Sequence, residues 1–283
     1  MKLALAIADT CALPSAFVVY RGFRESIAKA ASLGYDGVEL ALKTADEVDR
    51  NGLRAWLDEA GMEVSCISTG QVFAALGLMC TESDPIRRFQ VIEVLQGLID
   101  LAAEFGRMVN LGRVRGSIKD ESREVVEDRF VAVARELCDY AAARDVTLVL
   151  EPVNRYEIDF INNVEEGVEL VRKLGRDNFR LMPDVFHMNI EDVTIGGELA
   201  RHVAHVAYIH LADSNRLAPG RGHLDFDDLF DHLARAGYDG WVSVEILPKP
   251  DPDTAARHAA EFLRPRVDAY NSRLMALRGE PCR

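Results

Sequence analysis

A (β/α)8 barrel is the fold class this sequence predicts. Three observations carry it: about eight short apolar runs, about eight segments of helical period between them, and no Ser/Gly linker or composition break dividing the 283 residues. Most runs are continuous rather than alternating, as parallel strands buried on both faces require. Barrels of this kind reach such a length as one domain, so residues 1–283 are expected to form a single domain. A doubly wound open sheet is the alternative. It is disfavoured because IADTCALPS, with no Gly-rich phosphate loop, follows the first run.

The expected strands are 3–8 (LALAIA), 37–42 (GVELAL), 63–69 (EVSCIST), 108–114 (MVNLGRV), 147–153 (TLVLEPV), 180–185 (RLMPDV), 206–213 (VAYIHLAD) and 241–247 (WVSVEIL). Helical period runs over 24–34 and 45–61, each closed by a glycine suited to the left-handed turn after a helix. A third helix opens at Ser83 as N-cap with Pro85 in its first turn. Residues 121–145 form a long amphipathic helix and 163–175 a shorter one. Segment 225–237 places acids in its first turn, where the helix dipole favours them. The tail from 253 to 278 is mostly helix-compatible. The tetrapeptide GYDG occurs twice, at 34–37 and 237–240, each time between a helix and a strand. It is expected to be a compact turn on the barrel floor. Glu39 lies two residues past the first copy and low or midway in its strand, whereas Glu245 lies five past the second, near the strand's C-terminal end, where barrel chemistry takes place.

The net charge of −13 and pI near 5.0 argue against nucleic acid or an anionic membrane as the main partner, since phosphates would be repelled. Five cysteines (Cys11, Cys66, Cys80, Cys138, Cys282), with no CxxC, read as reduced thiols of a cytoplasmic protein. The apolar start stops at Asp9, too short for a signal peptide, and no run reaches the roughly 20 apolar residues of a membrane span.

Four consecutive runs end in a polar residue: Glu151, Asp184, His210 and Glu245. Any one alone would read as a paired core group. Three buried carboxylates cannot neutralise one another, and one histidine cannot balance them, whereas a dication can. Three oxygen donors and one imidazole suit Mn2+, with Mg2+ or Co2+ possible, better than a structural zinc site.

The segments EPVNRYEIDFINNVEEG (151–167), DVFHMNIED (184–192) and HLADSNRLAPGRGHLDF (210–226), with ISTGQ (67–71) and LGRVRG (111–116), resemble the sugar-phosphate isomerase/epimerase superfamily of xylose-isomerase-like TIM barrels. The resemblance is to its ketose 3-epimerase branch, and most to the 5-keto-L-gluconate epimerases. It implies one divalent metal held by Glu151, Asp184, His210 and Glu245, with Glu151 and Glu245 also the two catalytic carboxylates. It further implies that Glu157, His187 and Arg216 contact ketose oxygens, and that the protein is a homo-oligomer, dimer or tetramer, to which the long C-terminal helix could offer an interface. The reaction expected is epimerisation of a ketose or keto sugar acid. One base removes a proton beside the ketone and another returns it to the opposite face, through a metal-stabilised enediolate.

Guanidinium suits bidentate carboxylate recognition, so Arg115, or failing it Arg113, is expected to bind the carboxylate of a sugar acid. Gln71 is expected in the same pocket; Phe186 and Met188 are expected to pack, and His223 to sit in a nearby turn. Neutral-ketose 3-epimerase, aldose–ketose isomerase and dehydratase remain open on the same platform. An apurinic-site endonuclease is disfavoured by the charge, and a non-enzymatic sugar-binding barrel by the retained bases and ligands.

Overall fold

The computed structural model describes residues 1–278; Cys282 lies outside them. Among the described residues nine strands occur: β1 Lys2–Ala8, β2 Tyr20–Arg21, β3 Gly37–Ala41, β4 Glu63–Ser68, β5 Met108–Leu111, β6 Thr147–Leu150, β7 Phe179–Leu181, β8 Tyr208–Leu211 and β9 Trp241–Val244. The two-residue β2 is an appendage on β1. The other eight form the predicted barrel, all parallel, with β1 between β3 and β9. Between β7 and β8 the ring closes through two isolated bridges, Leu181 to Val206 and Asp184 to His210. The bonds there are Ala207 N to Leu181 O and His210 N to Pro183 O, both 2.9 Å.

Seven long helices of the described residues cover the barrel: α1 Phe23–Ser32, α2 Arg50–Ala60, α4 Pro85–Glu104, α5 Arg123–Ala142, α6 Val164–Leu174, α9 Phe226–Ala236 and α10 Pro252–Arg278. Three short ones, α3 Gly70–Leu76, α7 Val185–Glu191 and α8 Ile195–Arg201, lie in segments with no clear helical period. Two helix starts differ from expectation. Asp84, not Ser83, caps α4, accepting from Ile86 N at 2.9 Å. The segment 45–61 is not one helix: a single 3-10 turn, Ala45–Glu47, precedes α2, because Asp49 accepts from Asn51 N and restarts the chain. Leu263, Val267 and Tyr270 of α10 are buried. Among the described residues no helix is long and apolar enough to cross a membrane, and Cys11, Cys66, Cys80 and Cys138 are free thiols.

Both GYDG turns behave as expected. Gly34 and Gly237 follow their helices at φ 84° and 74°, which side chains rarely adopt. A Cβ on Gly37 would stand 2.6 Å from Glu63 O, and one on Gly240 would stand 2.9 Å from Ala207 O. The tyrosines diverge. Tyr35 donates to Ala256 O on α10 at 2.9 Å, while Tyr238 donates to Trp241 O at 2.7 Å.

Candidate metal centre and active site

The ladders stop short of the predicted strand ends, and three of the four candidate ligands lie just past them. Glu151 lies one residue past β6, Glu245 one past β9, and His210 is the third residue of β8. Asp184 lies three past β7, after Pro183, which has no N–H to continue a ladder. It caps α7: Oδ1 accepts from Phe186 N at 2.8 Å, which leaves Oδ2 facing inward. Each of the four offers one donor atom, and these atoms lie within 4.8 Å of one another.

The residues fit a dication. Asp184 Oδ2 and His210 Nδ1 are buried without a hydrogen-bond partner, a state that is unfavourable unless something else binds them. His210 Nδ1 is 3.4 Å from Glu151 Oε1 and 3.9 Å from Glu245 Oε2. Glu39 and Glu157 add two more carboxylates around the same spot, against Arg216 and the histidines, so negative charge is in surplus.

Proton affinities diverge accordingly. Burial pushes Asp184 up to about 7 against the pull of Arg216 and His210. Burial also raises Glu245. Burial would raise Glu151 too, but the nearby imidazole of His210 and the charges of His210, His187 and Arg216 outweigh that and hold it at about 2. Burial works against a charged His210, yet the facing carboxylates, Glu39 first, hold it well above the usual imidazole range. His187 is brought down to about 3 by burial and then by the charge of Arg216, so it is neutral.

The expected substrate contacts share one cavity with these groups: Gln71, Glu157, His187 and Arg216 line it beside Glu151 and Glu245. Arg216 donates to Glu157 Oε1 at 2.7 Å and to Glu245 Oε2 at 3.0 Å. Its guanidinium lies 3.6 Å from the ring centre of Phe17 and 4.8 Å from that of Phe186, whose packing role holds. Arg216 also has φ 59°, a strained backbone of the kind found at functional sites. Gln71 Oε1 accepts from Leu13 N at 2.9 Å and so ties the first loop to the wall. Arg155 pairs with Glu191 rather than Glu157. His223 bonds Ser214 Oγ in an exposed turn and does not line the cavity.

Arg115 requires a correction. It is fully buried and absent from the cavity wall. Its Nε donates to Phe160 O at 2.7 Å, Nη1 to Gly112 O at 3.0 Å and Glu151 O at 2.8 Å, and Nη2 to Ile161 O at 2.8 Å. It pins the loop after β6 and has no face to offer a substrate. Arg113 lines the cavity instead, 5.3 Å above the ring of Phe73 and 4.0 Å from Glu157 Oε2.

Three residues near the ligands escaped the sequence reading. Asn154 Oδ1 accepts from Tyr156 N at 3.0 Å, so its amide faces His187 and donates to Nδ1 at 2.7 Å. The Nε2–H of His187 is thereby left to point toward Glu151 and Asp184, each 3.8 Å away. Asn110 Nδ2 donates to Glu151 Oε2 at 3.3 Å. Glu39, set aside as too deep in its strand, is fully buried in the middle of β3 with its carboxylate on His210 Nε2. Asn154 stood inside a quoted motif and could have been found there. Glu39 was visible as an acid inside the apolar run GVELAL, but nothing there named its partner, and Asn110 carried no local signal.

Comparison with known proteins agrees with this architecture. The family model for the xylose isomerase-like TIM barrel matches residues 27–266. An L-ribulose 3-epimerase of Methylomonas sp. (strain DH-1) is 29% identical over 274 residues, covering 87% of this chain and 92% of that protein. A ketose 3-epimerase of Arthrobacter globiformis is 29% identical over 277 residues, covering 89% and 93%. A crystal structure of D-allulose 3-epimerase from Methylomonas sp. in complex with D-allulose superposes with a TM-score of 0.79 at 26% identity, covering 94% of this chain and 98% of that one.

Proposed function

This chain belongs to the xylose isomerase-like TIM-barrel family, and from that premise we propose that it is a metal-dependent sugar epimerase whose substrate is a ketose or keto sugar acid. Its relatives of nearly full coverage are epimerases, so the reaction class is isomerisation of a carbohydrate. The observation that carries the reading is the convergence of Glu151, Asp184, His210 and Glu245, two of them with a buried atom left unpartnered.

Glu151, Asp184, His210 and Glu245 would hold one dication, with Mn2+ favoured by a donor set of three carboxylates and one imidazole. Bound there, the ion supplies Lewis-acid polarisation of a ketone. The chain's own groups handle the proton. β6 and β9 stand three places apart in an eight-strand ring, roughly 135° for equal steps, so Glu151 and Glu245 approach a central carbon from different sides. One carboxylate takes the proton from the carbon beside the ketone and the other returns one to the opposite face. Neutral His187, fixed by Asn154, offers its Nε2–H to a substrate oxygen. Arg216, held by Glu157 and Glu245, offers its edge to a second oxygen.

Within this class we favour a keto sugar acid of the 5-keto-L-gluconate or D-tagaturonate kind. The support is Arg113, which lines the cavity while its nearest carboxylate oxygen is 4.0 Å away. The protein should be loaded with Mn2+ and incubated in D2O with neutral ketoses and ketoaldonates, and proton NMR followed. Deuterium should enter at one carbon as the epimer forms, stop with EDTA and resume with Mn2+. Exchange that ignores EDTA, or none across the panel, overturns the reading. Products also separate epimerisation from dehydration and from aldose–ketose isomerisation.

A further inference from the structure

We propose that Glu39 is the positioning residue for His210: it takes the Nε2 hydrogen of the imidazole and thereby turns Nδ1 into the cavity as the ligand atom. The inference rests on the metal reading above and concerns which atom of the chain does the binding, and why.

The argument is an account of hydrogens. Both Glu39 oxygens lie close to His210 Nε2, at 3.0 and 2.9 Å, and the carboxylate is fully buried. A buried carboxylate only accepts hydrogen bonds, and two acceptors at that distance would repel unless Nε2 carries a hydrogen. On the other side of the ring, Nδ1 meets no donor and no acceptor in bonding geometry, and the nearest group is Glu151 Oε1 at 3.4 Å. The imidazole is therefore bonded on its inner side and open toward the ligand cluster. A carboxylate on the far nitrogen of a metal-bound histidine fixes both the tautomer and the ring angle, and strengthens the lone pair that binds.

Glu39 is itself held. Tyr208 Oη donates to Glu39 Oε2 at 3.0 Å and lies 2.6 Å from Ser65 Oγ, also buried. Tyr208 and His210 sit two residues apart on β8, so both side chains point to the barrel interior, with Tyr208 one layer below. Glu39 reaches them from β3, across the barrel. The ligand set supplied by β6 to β9 is thus oriented by a residue of the opposite wall.

The experiment is a comparison of wild type, Glu39→Gln and Tyr208→Phe, each stripped of metal and titrated with Mn2+ in competition with a fluorescent chelator. Glu39→Gln should weaken Mn2+ binding roughly 10- to 100-fold, and Tyr208→Phe only a few-fold, in protein whose metal-free unfolding is cooperative. In wild type loaded with diamagnetic Mg2+, 15N-histidine NMR should show His210 with its hydrogen on Nε2. Folded Glu39→Gln that binds Mn2+ within two-fold of wild type, or a hydrogen found on Nδ1, overturns the inference alone. If Glu39→Gln does not fold, the Tyr208→Phe affinity and the wild-type tautomer decide it. A wild type that binds neither ion overturns the metal reading and this inference with it.

Discussion

The strand ends of β1 to β5 and those of β6 to β9 face one cavity with opposite chemistry. From the first half come Ala6, Ala41, Ser68 and Gly112, which are small and uncharged; from the second come Glu151, Glu157, His187, Arg216 and Glu245. One wall makes room and the other makes the charge. Each depends on the other: a Cβ on Gly112 would come within 2.8 Å of Glu151 Oε2, and Asn110 bonds that same carboxylate. The division teaches that a donor cluster of this density is tolerable because the facing wall adds only Glu39, beneath His210, and Arg113, at the rim.

The sharpest break is Glu151→Gln, which keeps the volume and would remove the proposed base and metal donor together. Turnover should fall about a thousandfold, within the range for loss of a general base, while circular dichroism stays native; activity within tenfold of wild type would mean the charged wall is not the chemical one. Next comes Arg113→Ala. Losing a hydrogen bond to a charged group is worth about 1.5–3 kcal/mol, so kcat/KM on a ketoaldonate should drop by tens of fold and that on a neutral ketose by less than about threefold. Equal losses on both would remove the case for an acidic substrate. The smallest effect is expected from Ala41→Leu, which fills the empty wall. KM should rise about tenfold, as crowding worth one to two kcal/mol implies, with Mn2+ affinity unchanged. A parallel loss of Mn2+ affinity would show that room and charge are not separable.

Much of this was legible in the sequence. Continuous apolar runs identified each barrel strand, and a polar residue at the end of four successive runs pointed to the candidate ligands, because a buried charge after an apolar run needs a partner. The short helices α3, α7 and α8 were not legible. Seven residues hold barely two turns, too few for a period to appear, and α7 is set largely by its Asp184 cap. Arg115 was misassigned for a geometric reason: in the 3-10 turn Arg113–Arg115, residues two apart point about 240° apart, so one arginine faces the cavity and the other the wall. Nothing in RVRG says which. Glu39 was read as lying low or midway in its strand, and it sits at the middle of β3. Its importance comes from Tyr208 and His210, some 170 residues away in sequence.

The joint between β7 and β8 adds a mechanical point. Every other pair of neighbouring barrel strands shares a ladder, but this one is fastened by two bridges, and the second of them joins Asp184 to His210. Two of the four candidate ligands thus sit on this joint. Any ion that draws those two side chains together also acts as a rivet across the gap, so charge neutralisation at the mouth and circumferential strength of the wall are a single property of this chain.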